Sequence, residues 1–139
     1  MEKRTVLFVD DDEIVLVSIE KSLKDEAYDK HFAKSGEEAL EILQREEVHV
    51  IVVDEVMPRM NGLELLKIVR KEYPHIVRMV LSGYAQPDDV KTAMFEEGIY
   101  KYTAKPWTFD GNFRTVIRQA IDNYNLVSKR EANAARPSL

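Results

Sequence analysis

The chain alternates short, nearly continuous apolar runs with stretches of helical period. Thr5-Val6-Leu7-Phe8-Val9, the β-branched run over 48–53 and the run over 76–81 carry almost no polar alternation. Such runs suit strands covered on both faces, as in a parallel sheet. A more polar strand over 28–33 suits an edge, and a fifth is predicted over 99–104. Between them, Ile14, Val17, Ile19 and Leu23 predict a helix over 13–26, with Asp12 placed to cap it. Ser35, Gly36, Glu37 and Glu38 have the spacing of a capping box ahead of Ala39, Leu40, Ile42 and Leu43. Leu63, Leu65, Leu66, Ile68 and Val69 predict a third helix stopped at Pro74. Pro87, Asp88 and Asp89 open a fourth, with a modest apolar face and a stop at Gly98. Phe113, Val116, Ile117, Ala120, Ile121, Tyr124 and Val127 mark a last helix that outruns a domain-closing helix by about two turns. Residues 129–139 lose the stripe and are expected to fray.

Five strands alternating with five helices imply right-handed crossovers and an α/β fold, a parallel sheet with helices on both faces. The simplest solution is a flavodoxin-like, doubly wound sheet of order 2-1-3-4-5, with its switch point between the first and third strands. Composition narrows the class. The 139 residues, 45% hydrophobic and 32% charged, can build one core. A net charge of -5 offers no basic footprint and points away from direct nucleic-acid binding. There is no cysteine for a disulfide framework or thiolate metal site. No stretch approaches the roughly 20 apolar residues of a membrane span, so the expectation is a cytoplasmic protein without a membrane anchor.

The polar residues that follow the strands carry the chemistry. Asp10 and Asp11 follow the first strand, Asp54 the third, Ser82 the fourth and Lys105 the fifth. In an open parallel sheet this is the edge where ligands bind. Taken singly, these are residue types that cap helices or fill turns; the matching strand ends make them a constellation. Like charges about 4 Å apart repel by roughly 4 kcal/mol at an effective dielectric near 20, a cost that a divalent cation relieves. Carboxylate and carbonyl oxygens suit Mg²⁺. A carboxylate can then act as nucleophile toward a phosphoryl group while a lysine and a hydroxyl bind the transferred oxygens, and Asp54, the lone acid of its strand end, is the candidate. His31, His49 and His75 are scattered without metal-ligand spacing and receive no role.

The ordered set Phe8, Val9, Asp10 and Asp11, then Asp54 with Met57, Pro58, Met60 and Gly62, then Leu81, Ser82 and Gly83, then Tyr102, Lys105 and Pro106 resembles the response-regulator receiver domain of two-component signalling. The resemblance spans residues 4–122 and leaves 123–139 as a connector to an output domain or a dimerising segment. It implies Asp54 as phosphoacceptor, Asp10 and Asp11 as the acidic pair organising Mg²⁺, and the Val56 backbone carbonyl as a further metal ligand. It also implies Ser82 as switch hydroxyl, Tyr102 as switch aromatic, Lys105 as phosphate contact, and a cis bond before Pro106. The implied phosphodonor is a histidine kinase or histidine phosphotransfer protein. The implied activity is signalling and not turnover, with self-catalysed phosphorylation and autodephosphorylation only, read out on the face of the fourth helix, fifth strand and last helix. Ser82 to Ala85, Glu97 to Tyr102 and Lys105-Pro106-Trp107 are similar to receivers that precede HD-type cyclic-di-GMP phosphodiesterase domains. Whether the chain is a stand-alone receiver or an N-terminal piece stays open. Glu55, directly after the phosphoacceptor, and Tyr84 depart from the commonest family pattern. The resemblance also implies that Val56 and Tyr84 lie beside the line of water attack, which predicts slow self-dephosphorylation.

Two other readings compete. A haloacid-dehalogenase-type phosphatase would place its nucleophile in an Asp-x-Asp pair on the first strand, which Asp10 and Asp12 match. It leaves Asp54 without a role and lacks a cap domain. A flavodoxin-like binding module for a small anion would have no phosphoacceptor.

Overall fold

The computed structural model describes residues 3–82, 98–104 and 111–134. Strand β1 (Thr5–Val9) leads to helix α1 (Glu13–Ser22), β2 (Asp29–Ala33) to α2 (Gly36–Arg45), and β3 (Val50–Asp54) to α3 (Gly62–Glu72). After β4 (Val77–Ser82) and β5 (Lys101–Ala104) comes the last helix, here α4 (Gly111–Ala134). The five strands form one parallel sheet in the order β2-β1-β3-β4-β5.

Every residue of β1 and β3 is buried, as their uninterrupted apolar runs require. Alternate side chains divide between two cores. Leu7, Val9, Ile51 and Val53 pack with Ala39, Ile42, Leu65, Leu66 and Val69 of α2 and α3. Val6, Phe8, Val50 and Val52 pack with Leu16 and Ile19 of α1 and with Phe113, Val116, Ile117 and Ala120 of α4. Fully burying one such leucine or isoleucine contributes about 2 kcal/mol. The caps follow the sequence: Asp12 accepts from the Ile14 N–H, and Ser35 from the Glu38 N–H at 3.1 Å. Among the described residues, no helix is long and apolar enough to cross a membrane.

Several boundaries differ from the predicted ones. Helix α1 stops at Ser22 and not at 26, because Leu23 turns its fully buried side chain into the core and residues 23–25 form a turn toward β2. The third strand starts at Val50, not 48, and ends on Asp54; the fourth runs from Val77 through Ser82. Both polar residues are therefore the last members of their ladders, with Asp54 opposite Leu81 and Ser82 opposite Ala104. The second strand begins at Asp29 and the fifth at Lys101, while Tyr28 and Ile99 serve the core from just outside. The tail from 129, where the apolar stripe is lost, is helical through Ala134, where α4 ends. Once a helix is nucleated, extension adds one hydrogen bond per residue fixed, and lysine, arginine, glutamate and alanine are good helix formers. The described residues hold four helices; the helix expected from Pro87 lies outside them.

Candidate functional site

The site lies at the carboxyl ends of β1, β3 and β4. Asp10 follows β1, donates its backbone N–H to the Ala33 carbonyl at 3.1 Å, and is 2% exposed. Its Oδ1 accepts the Asp12 N–H at 2.8 Å, which ties the acid to the first turn of α1. Asp54, at the end of β3, is 8% exposed, whereas Asp11 is open to solvent. One carboxylate oxygen from each of Asp10, Asp11 and Asp54 lies within 4.8 Å of the others. Such a cluster of hard oxygen donors, without thiolate or imidazole, fits a small divalent cation such as Mg²⁺.

The loop after Asp54 is shaped by close packing. The Gly62 N–H donates to the Glu55 carbonyl at 3.0 Å, drawing the start of α3 onto the strand end. A Cβ at Gly62 would lie 2.2 Å from the Asp54 carbonyl oxygen, so this approach requires glycine. Asn61 caps α3 by accepting the Glu64 N–H at 2.9 Å, and Arg59 takes a left-handed backbone, φ 67°. Met60 lies against Gly36 at the start of α2, where a Cβ would fall 2.6 Å from its Sδ. Met57 is buried in the core while Val56 is 75% exposed. The loop is thus fastened on both sides of Val56.

Ser82 is buried at the end of β4, and its hydroxyl donates to Glu55 Oε2 at 2.5 Å. The Glu55 N–H donates to the Leu81 carbonyl at 3.0 Å, so the backbone of Glu55 is held beside β4 as well. Glu55 drew attention in the sequence only as a departure from the family pattern. Its position directly after a strand-end acid was visible; its partner depended on the path of the loop.

The structure brings together Asp10, Asp11 and Asp54, and sets Ser82 on the strand adjacent to Asp54. Tyr102 is on β5, paired with Val80. Asp12, the second acid of the Asp-x-Asp alternative, caps α1 and is not part of the acidic trio. Lys105, Pro106 with its expected cis bond, Tyr84 and Trp107 lie outside the described residues. Of the three histidines left without a role, His49 is a core residue whose Nδ1 accepts the Thr5 N–H at 2.9 Å.

Residues 6–124 match the family model described as the response regulator receiver domain. The chain is 40% identical over 125 residues to the hydrogenase transcriptional regulatory protein HoxA of Cupriavidus necator, covering 90% of this chain and 26% of that protein. The chain thus spans about a quarter of that relative's length. Among solved structures, it is similar to the signal receiver domain of an HD domain-containing protein from Pseudomonas fluorescens Pf-5, with TM-score 0.82 and 30% identity over 89% of this chain and 98% of that one. The response regulator TrrA of Thermotoga maritima, solved in complex with Mg²⁺-BeF, shares the fold at TM-score 0.73 and 22% identity, over 84% of this chain and 98% of that one.

Proposed function

The chain belongs to the response regulator receiver domain family, and from that membership we propose that it accepts a phosphoryl group on Asp54 with Mg²⁺ held in the acidic trio. Domains of this family are signalling domains that accept phosphoryl groups from histidine kinases. The observation that carries the proposal is the meeting of Asp10, Asp11 and Asp54 at the carboxyl ends of β1 and β3, the switch point of a doubly wound sheet.

Asp10, Asp11 and Asp54 would hold the cation, with the Val56 carbonyl as a further ligand. When bound, Mg²⁺ supplies positive charge that offsets the acids and lets an anionic donor approach. A carboxylate oxygen of Asp54 attacks the phosphorus of a phosphohistidine on a histidine kinase or phosphotransfer protein. An O–P bond forms and the P–N bond breaks, its electron pair staying on the imidazole, which is then protonated from solvent. Ser82 and Lys105 bind the transferred oxygens, and Tyr102 on β5 reports the change to the signalling face. The domain modifies only itself and releases the group slowly. It acts in the cytoplasm, and residues 123–139 connect it to an output domain or to a second copy.

Incubation with Mg²⁺ and acetyl phosphate tests the assignment by intact mass. One added phosphoryl group is expected on the wild type and none on Asp54→Asn, whose neutral amide is a poor nucleophile. Stoichiometric labelling of Asp54→Asn would falsify the assignment, and multiple turnover of phosphomonoesters by the wild type would favour the phosphatase. Asp10→Ala and Asp11→Ala should keep the fold but weaken Mg²⁺ binding; unchanged titrations in both would remove the metal from the site.

A further inference from the structure

We propose that Glu55 is a positioning residue that holds the Ser82 hydroxyl and so sets how readily the domain switches. The inference rests on the receiver reading above and concerns a residue that the reading leaves unused. A serine hydroxyl has one proton to donate. Here it goes to Glu55 Oε2, while Ser82 itself is 1% exposed. A phosphoryl group on Asp54 would need that same proton. Both are anionic acceptors, and hydrogen bonds to charged groups are about twice as strong as neutral ones, so neither wins by its hydrogen bond alone.

The geometry makes Glu55 a standing competitor. Its backbone is fixed on both sides, by its own N–H on the Leu81 carbonyl and by the Gly62 N–H on its carbonyl. The carboxylate therefore starts from an anchored Cα beside β4. Glu55 is partly exposed, so its carboxylate has water to turn to once Ser82 leaves. Its negative charge, next in sequence to Asp54, also opposes an incoming anion. Glu55 thus weighs against the phosphorylated arrangement in two ways, by holding the hydroxyl and by repulsion. Only the first depends on Ser82.

That dependence defines the experiment. Beryllofluoride, in Mg²⁺ buffer, serves as the phosphoryl mimic and is titrated into wild type, Glu55→Ala, Glu55→Gln, Ser82→Ala and the double variant Glu55→Ala with Ser82→Ala, followed by backbone amide chemical shifts. Glu55→Ala should bind the mimic about tenfold more tightly than wild type, equivalent to about 1.4 kcal/mol. Glu55→Gln, which keeps a neutral acceptor for the hydroxyl, should gain only about threefold. In the Ser82→Ala background the gain from Glu55→Ala should fall to about threefold, leaving the charge contribution alone. An equal gain in both backgrounds would show repulsion without a latch and overturn the proposal, as would no gain at all. Should Glu55→Ala not fold, Glu55→Gln decides, titrated in the wild-type and Ser82→Ala backgrounds: an equal gain in both, or no gain, sinks the latch. Failure of wild type to bind beryllofluoride or accept a phosphoryl group would sink the receiver reading itself, an outcome distinct from these.

Discussion

At the scale of single residues, the acids were readable because each follows a buried β-branched run, and the end of such a strand is where a side chain leaves the core. Asp10, Asp11 and Asp54 needed no more than that to be brought together. Ser82 was legible as a strand-end hydroxyl but its partner was not, because the direction of Glu55 depends on how the loop is fastened by Gly62 and Leu81. Gly62 itself read as turn chemistry. Its necessity is steric, since the Asp54 carbonyl occupies the space a Cβ would take. Gly62→Ala should therefore push α3 from the strand end, costing about 2 kcal/mol as overpacking does, and should slow labelling of Asp54. Urea denaturation and intact-mass kinetics measure the two effects; a wild-type midpoint would mean the loop yields freely.

At the scale of elements, order and type were legible while ends were not. A strand's apolar run shows that it is buried, but its ladder also takes in the polar residue that follows, as with Asp54 and Ser82. Helix α1 ended early because its last apolar residue, Leu23, serves the core from a turn. The link between that turn and α4 was invisible in the sequence, since it joins residues 92 apart. Arg118 donates to both carboxylate oxygens of Glu26, at 2.7 and 2.6 Å. This hydrogen-bonded guanidinium holds the Glu26 carboxyl below its ordinary range against the opposing effect of burial. A depressed carboxyl stabilises the fold above its unfolded pKa, about 4.3, and that stabilisation is lost as pH falls through the folded value. Arg118→Ala should lower the melting temperature by about 2 °C at pH 7, and the gap from wild type should close as pH falls through the depressed carboxyl value of Glu26. A gap that persists in acid would assign the loss to packing of the arginine stem.

At the scale of the whole molecule, the sheet has two working ends. The acidic site occupies the carboxyl ends of the strands, and the other end holds the place where α4 leaves the body. There Tyr124 sets its ring 4.9 Å from that of His49, the Arg4 guanidinium lies 5.1 Å above it, and Arg4 Nε donates to Asn125 Oδ1 at 2.7 Å. Beyond this anchor Leu126 and Val127 are 49% and 41% exposed and Glu131 comes within 3.8 Å of His75, so the helix up to Tyr124 belongs to the core and the rest keeps only partial contact with the body. Removing the anchor should loosen the last turns of α4 without disturbing the acids. Tyr124→Ala should cost about 1–2 kcal/mol, less than a fully buried aromatic because the ring is only partly covered. Its effect on hydrogen exchange should be confined to the latter half of α4, with the amides of β1 and β3 protected as in wild type. Phosphoryl uptake by Asp54 should be retained. Equal loss of protection in β3 would show that the two ends unfold as one unit, and that the last helix holds the site together.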